Sequence, residues 1–157
     1  MNIKLVLTGK TNMDFVSDGF TEYEKRLKHY IRFEVSVIPE LKNTKSLSVS
    51  EQKEKEADMQ LKVLDKCDYI VLLDDKGKEF TSMAFAEFLN RRMNAGTKTL
   101  AFVIGGPYGF SERIYRIANE QLSLSRMTFS HPIVRVLFAE QLYRAFTIIN
   151  NEPYHHE

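Results

Sequence analysis

Residues 100–110 read LAFVIGGPYGF, and residues 69–73 read YIVLL. Both are apolar runs of strand length without alternation, the pattern of strands covered on two faces in a parallel sheet. The first run leads directly into Gly105 and Gly106. Paired glycines at a strand end remove side chains and let a ligand approach the backbone, whose amides can bond a carboxylate or an adenine edge. A tight strand-to-helix turn that needs positive φ explains the pair equally well. No Lys-Ser/Thr follows, as a Walker loop requires, and GxGxxG is not matched. Phosphate-driven nucleotide binding is therefore disfavoured.

Working outward, residues 2–8 (NIKLVLT) read as a strand ended by Gly9. Asn12 is the expected N-cap of a helix whose stripe is Val16, Phe20, Tyr23 and Leu27. Residues 33–38 (FEVSVI) form a second strand, closed by Pro39, and residues 40–50 a connection. Ser50 is expected to cap a helix that opens with EQKEKE as a solvated face and turns Ala57, Leu61 and Leu64 inward. After YIVLL, the residues Asp74, Asp75 and Gly77 read as a turn. Thr81 or Ser82 starts a helix with Phe85, Phe88 and Leu89 inside and Gly96 just past its end. Ser111 caps a short helix over 111–119. Residues 121–129 read as a short strand with a loop, and Pro132 sits in the first turn of a long helix reaching about Asn150. The order βαβαβαβαβα predicts an α/β fold, a mainly parallel sheet flanked by helices. Ligands of such sheets bind beyond the carboxyl ends of the strands. That rule points to Leu73, to Gly105 and Gly106, and to the loop after Leu124.

The 157 residues suit one domain, 1–157. Lys and Arg number 22 against 21 Asp and Glu, a net charge of +1. Composition thus gives no support to nucleic-acid binding, and any basic surface must come from local clustering. The one cysteine, Cys67, excludes an internal disulfide and a cysteine-rich metal site, and reads as a buried structural thiol. The N-terminal apolar run is too short for a signal peptide, and no stretch is long enough to span a bilayer. A cytoplasmic protein without a membrane anchor is expected.

Three further segments are candidates. Residues 122–131 (LSLSRMTFSH) mix hydroxyls with Leu, Met and Phe, as a half-apolar pocket for a purine would. On pattern alone, an amphipathic strand with Leu122 and Leu124 inward accounts for them better. In the last helix Glu140 and Arg144 are four apart and can pair, most simply as a surface pair. Arg135 is placed to face a phosphate. Val134, Leu137, Phe138, Leu142 and Phe146 cover more than one side of that helix, which suggests a partner chain. The tail Tyr154-His155-His156 alone reads as an unremarkable exposed terminus. It has no further ligands at metal-site spacing, and His131 reads as a turn or capping residue.

Together these segments are far more specific. FVIGGPYG, then LSLSRMTFSHPIVRVLFAEQLYRAFTI, then PYHHE at the end of the chain resemble the RlmH family of SPOUT-class methyltransferases, which act on pseudouridine in large-subunit ribosomal RNA. KLVLTGK, FTEYEKRL and VLLDDKGK extend the likeness over essentially the whole chain. The resemblance implies a SPOUT-type α/β knot, a C-terminal trefoil in which the chain threads through a loop, a rare exception to unknotted topology. It implies a homodimer, S-adenosylmethionine as cofactor, ribosomal RNA as partner and no metal. Carried over by position, the cofactor residues are Leu73, Gly105, Leu124, Ser125, Arg126, Met127, Thr128 and Phe129. The family's tail has Tyr-His and then a basic residue. Here Tyr154 and His155 match, while His156 replaces a permanent charge with one that depends on pH.

The implied reaction is methylation of N3 of a pseudouridine, an imide nitrogen that is nucleophilic once deprotonated. His155 is the candidate for orienting or deprotonating the base, and Tyr154 for stacking on it or donating a hydrogen bond. Arg144 would hold phosphate or stabilise negative charge, with Glu140 orienting it. Limited surface on one protomer favours a large preformed substrate, such as the assembled ribosome, contacting both subunits. Alternatives are a knotted methyltransferase acting on transfer RNA, a ribosome-binding module without catalysis, and a small α/β domain with a phosphate-binding glycine turn.

Overall fold

The structure is a computed structural model that describes residues 1–156. Its strands are β1 (Asn2–Thr8), β2 (Arg32–Ile38), β3 (Tyr69–Glu79), β4 (Thr99–Ile104) and β5 (Glu120–Ser123). Its helices are α1 (Asp14–Leu27), α2 (Val49–Leu64), α3 (Ser82–Asn94), α4 (Glu112–Ile117) and α5 (His131–Ile149). The strands form one sheet in the order β2-β1-β4-β3-β5, and every pairing is parallel.

Period-two alternation divides the central strands between two cores. Leu5, Leu7, Val71 and Phe102 face Leu27 of α1, Phe85 and Leu89 of α3, and Phe138 and Leu142 of α5. Val6, Leu72, Ala101 and Val103 face Ala57 and Leu64 of α2 and Ile114 of α4. Both faces are buried, which is why YIVLL and LAFVI show no polar alternation. Cys67 is half-buried beside the second core, and burial pushes its thiol up.

Several local expectations are corrected. The N-cap of α1 is Met13 rather than Asn12, with extended backbone and no side-chain bond. Ser48 rather than Ser50 caps α2, because its Oγ accepts from the Glu51 amide at 3.1 Å, the S-x-x-E arrangement two residues earlier. Residues 44–46 in the connection form a 3-10 turn. Leu61 is only half-buried, while Glu56, in the supposedly solvated run, is buried. Asp74, Asp75 and Gly77 do not end β3. The strand bulges there and resumes pairing, with Leu122 opposite both Leu73 and Lys78. Gly77 serves close approach: a Cβ would lie 2.6 Å from the Gln121 carbonyl carbon.

The apolar girth of α5 is largely used within the protomer, since Phe138, Leu142 and Phe146 are core. It does not by itself require a second chain. Nor does Arg135 face a phosphate. It is 2% exposed, and its Nη2 donates to the Thr8 carbonyl at 2.7 Å. Its Nη1 donates to the Gly9 carbonyl and to Thr11 Oγ1, each at 2.9 Å. These carbonyls lie where β1 ends, beyond the reach of the ladder, so the guanidinium supplies donors the sheet cannot. Truncating it leaves buried acceptors unpaired. Arg135→Met is expected to lower unfolding free energy by about 2–4 kcal/mol in urea titrations, and a loss below about 0.5 kcal/mol would contradict this role.

Candidate functional site

A cavity of about 670 Å³ opens at the carboxyl ends of β4 and β5 and at the bulge of β3. Its size is ordinary for a small-molecule site. Residues 73–76, 104–110, 122–125 and 127–129 line it, with Tyr115 from α4 and His131 and Val134 from α5. Leu73, Gly105, Leu124, Ser125, Met127, Thr128 and Phe129 are thus brought together. Arg126 is not among the lining residues. Its side chain is 89% exposed and pairs with Glu79 at 2.9 Å.

The walls are held by local bonds. Ser123 Oγ donates to the Ser125 carbonyl at 2.9 Å, and Ser125 Oγ accepts from the Met127 amide at 3.0 Å. These hydroxyls fold the loop, as Asx- and Ser/Thr-turns do. Beyond β4, the Gly109 amide donates to the Gly106 carbonyl at 3.1 Å, and Gly109 takes φ +80°, a conformation suited to glycine. A Cβ on Gly105 would lie 3.0 Å from the Phe110 ring, so the missing side chain seats Phe110. Substituting Gly105 would therefore distort the cavity wall through that ring.

Charge is also built into the rim. Asp74 accepts from the Tyr115 hydroxyl and, at 2.9 Å, from the Lys76 amide. Burial, reinforced by that Asp74 bond, holds the Tyr115 phenol well above its usual range. With Asp75 beside it, the rim carries two carboxylates and one ammonium, Lys76. Such a rim suits a cationic ligand better than a polyphosphate. Sequence reasoning missed this part of the site because Asp-Asp-x-Gly is also a common turn signal. Exposed apolar side chains, Tyr108, Met127 and Phe129, gather at the same cavity. A smaller cavity of about 230 Å³ adjoins it, sharing residues 122–124 and Phe129 and reaching Leu137 and Gln141.

The other four candidates form a separate cluster. Arg144 Nη2 donates to Glu140 Oε1 at 2.6 Å, and Tyr154 Oη donates to the same oxygen at 3.0 Å. Arg144 Nη1 lies 3.2 Å from His155 Nδ1, and the guanidinium sits over the Tyr154 ring at 4.8 Å. Hydrogen bonding to Glu140 pushes the Arg144 pKa up, and burial does the same to the Tyr154 phenol. The tail is therefore ordered, against the expectation of a loose terminus. Tyr30 Oη also donates to Glu152 at 2.5 Å, and the Glu152 amide donates to the Thr147 carbonyl at 2.9 Å. None of these four candidates lines the cavity. Ten residues of α5 separate Val134, at its wall, from Arg144, a rise of roughly 15 Å. Among the described residues, no group of three His, Cys, Asp or Glu is placed to hold a metal.

His131, read from sequence as a capping or turn residue, stands in the cavity wall. Its Nε2 lies 3.3 Å from Arg135 Nη2 and 3.4 Å from the Thr8 carbonyl. Burial first, and the nearby Arg135 charge, push its pKa below the ordinary value. The unfolded chain then binds the proton more readily, so stability is complete above about pH 6.5 and declines as pH falls. Urea titrations from pH 7.5 to 5 should show that decline, and His131→Asn should flatten part of it. Equal slopes for the two proteins would refute the assignment.

Comparison with known proteins bears on the family and the fold. The family model described as "Predicted SPOUT methyltransferase" matches residues 1–155. A relative from Parabacteroides distasonis, described as ribosomal RNA large subunit methyltransferase H, is 56% identical over 157 residues, the full length of both chains. One of the same description from Flavobacterium johnsoniae is 55% identical, again over the whole of both. Among solved structures, a probable methylase family protein from Haemophilus influenzae shares the fold with a TM-score of 0.58 at 14% identity, over 99% of this chain and 71% of that one. No helix among the described residues is long and apolar enough to cross a membrane. With a family match over nearly every residue and relatives more than half identical from end to end, the chain belongs to the SPOUT methyltransferase family.

Proposed function

We propose that this protein transfers a methyl group from S-adenosylmethionine to N3 of a pseudouridine in large-subunit ribosomal RNA, acting in the cytoplasm as a single-domain subunit of a homodimer. The observation that carries the reading is the cavity, where the bulge of β3, the glycine turn and residues 122–129 meet at one rim. The description shared by relatives of 55–56% identity supports the ribosomal substrate over transfer RNA or a role without catalysis. The same gathering of segments is compatible with a C-terminal trefoil threading as part of the pocket.

The residues fit the donor. The cavity is large enough, it is half apolar, and its carboxylates complement a cation. The donor supplies a methyl group already activated by its sulfonium charge, so alignment and one proton remain for the protein to manage. Leu73, the Gly105 turn and residues 124–129 would hold it, Arg126 through its backbone alone.

The acceptor side falls to Glu140, Arg144, Tyr154 and His155. Arg144 would stabilise the imide anion, held by its two bonds to Glu140. With Arg144 donating to Nδ1, that nitrogen's lone pair is engaged, so His155 suits orienting the base better than abstracting its proton. Tyr154, its hydroxyl fixed on Glu140, offers an aromatic face. Because this cluster lies away from the cavity of its own chain, one protomer's tail would serve its partner's cavity. A preformed ribosomal surface would then meet both subunits.

Subunit mixing tests this arrangement. Gly105→Val and His155→Ala should each abolish or sharply lower methylation, the second with donor affinity nearly intact. Mixed after dissociation, they should recover about a quarter of wild-type activity through heterodimers with one complete site. No recovery would mean that cavity and tail act within one chain. Mass spectrometry of nucleosides from a deletion strain should show one methylated pseudouridine missing from ribosomal RNA. A loss from transfer RNA instead would overturn the substrate.

A further inference from the structure

The run Glu51–Glu56 charges the first turns of α2 and is otherwise exposed or half-buried, yet Glu56 is only 5% exposed. Its neighbours two positions away behave differently. Glu54 and Asp58 reach outward and hold Arg113 of α4 at 2.7 and 2.8 Å. Glu56 lies on the inner face with Ala57, Gln60 and Leu64. Its carboxyl sits against the backbone of Gly106: both oxygens are 2.7 Å from where a Cβ on that residue would be. Gly106 lines the cavity and closes the 106–109 turn, whereas Glu56 is not among the lining residues.

Burying a carboxyl is costly, and none of the ion pairs among the described residues involves Glu56. Burial accordingly pushes its pKa up, with a bond from Gln52 opposing. An apolar residue would pack this face of α2 more cheaply. What the carboxyl adds is a rigid polar surface against a backbone that carries no side chain of its own.

We propose that Glu56 is a positioning residue for the methyl-donor site: from α2, its buried carboxyl buttresses the Gly105–Gly109 turn and fixes the backbone groups that turn presents to the cavity. The segment is then held at two points. Arg113 fixes the start of α4 from outside, and Glu56 fixes the turn before it from inside. The missing side chain at Gly106 is explained by the same contact. This inference rests on the cavity being the donor site.

Calorimetry with S-adenosylmethionine on the intact protein tests both layers. No saturable binding by the wild type would overturn the donor-site reading and this inference with it. Given wild-type binding, Glu56→Ala should weaken donor affinity about tenfold or more while kcat at saturating donor changes little. Glu56→Gln, which keeps the shape and hydrogen-bonding capacity, should stay within about threefold. In donor-free protein, amide hydrogen exchange over 105–110 should quicken in Glu56→Ala and not in Glu56→Gln. Gly106→Ala forces a methyl against the carboxyl and should also weaken binding. In the Glu56→Ala, Gly106→Ala double variant the clash is gone, so its loss should be smaller than the sum of the two single losses. Unchanged donor affinity in folded Glu56→Ala would overturn the proposal, as would strictly additive losses.

Discussion

The buried guanidinium of Arg135 on the last carbonyls of β1 is the contact on which the rest of the arrangement depends. It joins the first strand to the last helix, 127 positions apart in sequence between Arg135 and Thr8. By doing so it fixes the first turn of α5 over the sheet's carboxyl rim, with His131 and Val134 facing the cavity. The 122–129 loop must then cross from β5 to that anchored turn. Its hydroxyl-to-backbone bonds at Ser123 and Ser125 follow from so short a crossing. A salt bridge in the same place would bring a second buried charge, whereas carbonyl acceptors balance the guanidinium without one.

From that anchor the site divides into two parts with different physics. The cavity is a rim feature of a parallel sheet, built from the bulge of β3 and two loops and charged by Asp74 and Asp75. The second cluster, proposed for the acceptor, is a helix-and-tail feature, built on the pairing of Glu140 with Arg144 and closed by Tyr154 and His155. Glu140 Oε1 accepts from both Arg144 and Tyr154, so a single carboxylate organises the cluster. Neither part holds the chemistry of the other, and the rigid α5 keeps them apart. In the proposed function, a dimer would answer that separation rather than the apolar girth of α5.

The sheet was legible because its central strands are buried on both faces, and buried parallel strands advertise themselves as unbroken apolar runs. The element order followed from the alternation of such runs with helical stripes. Local punctuation was less legible. Ser48 and Ser50 are both acceptable caps by residue type, and the structure places the accepting hydroxyl at Ser48, three residues before the Glu51 amide. Asp74-Asp75-x-Gly spells a turn, but β5 needs Gly77 for close approach, so tertiary pairing overrides the local signal. Arg135 and Glu56 were illegible for one reason. A charged residue on a helix is usually solvated, and nothing local reveals that a strand end or a glycine turn awaits it. Of the positions carried by family resemblance, Leu73, Gly105, Leu124, Ser125, Met127, Thr128 and Phe129 meet at one cavity and Arg126 does not line it, while Glu140, Arg144, Tyr154 and His155 form a second cluster that the resemblance gave no hint of.

The most direct test is a crystal structure of the protein with S-adenosylmethionine or its demethylated product. Density for the ligand should lie at the rim of β3 and β4, touching Leu73, the Gly105 backbone and the 124–129 loop, with a second subunit's His155 nearest the methyl position. Ligand bound away from that rim, or a methyl position flanked by no residue of the tail cluster from either subunit, would contradict the central claim.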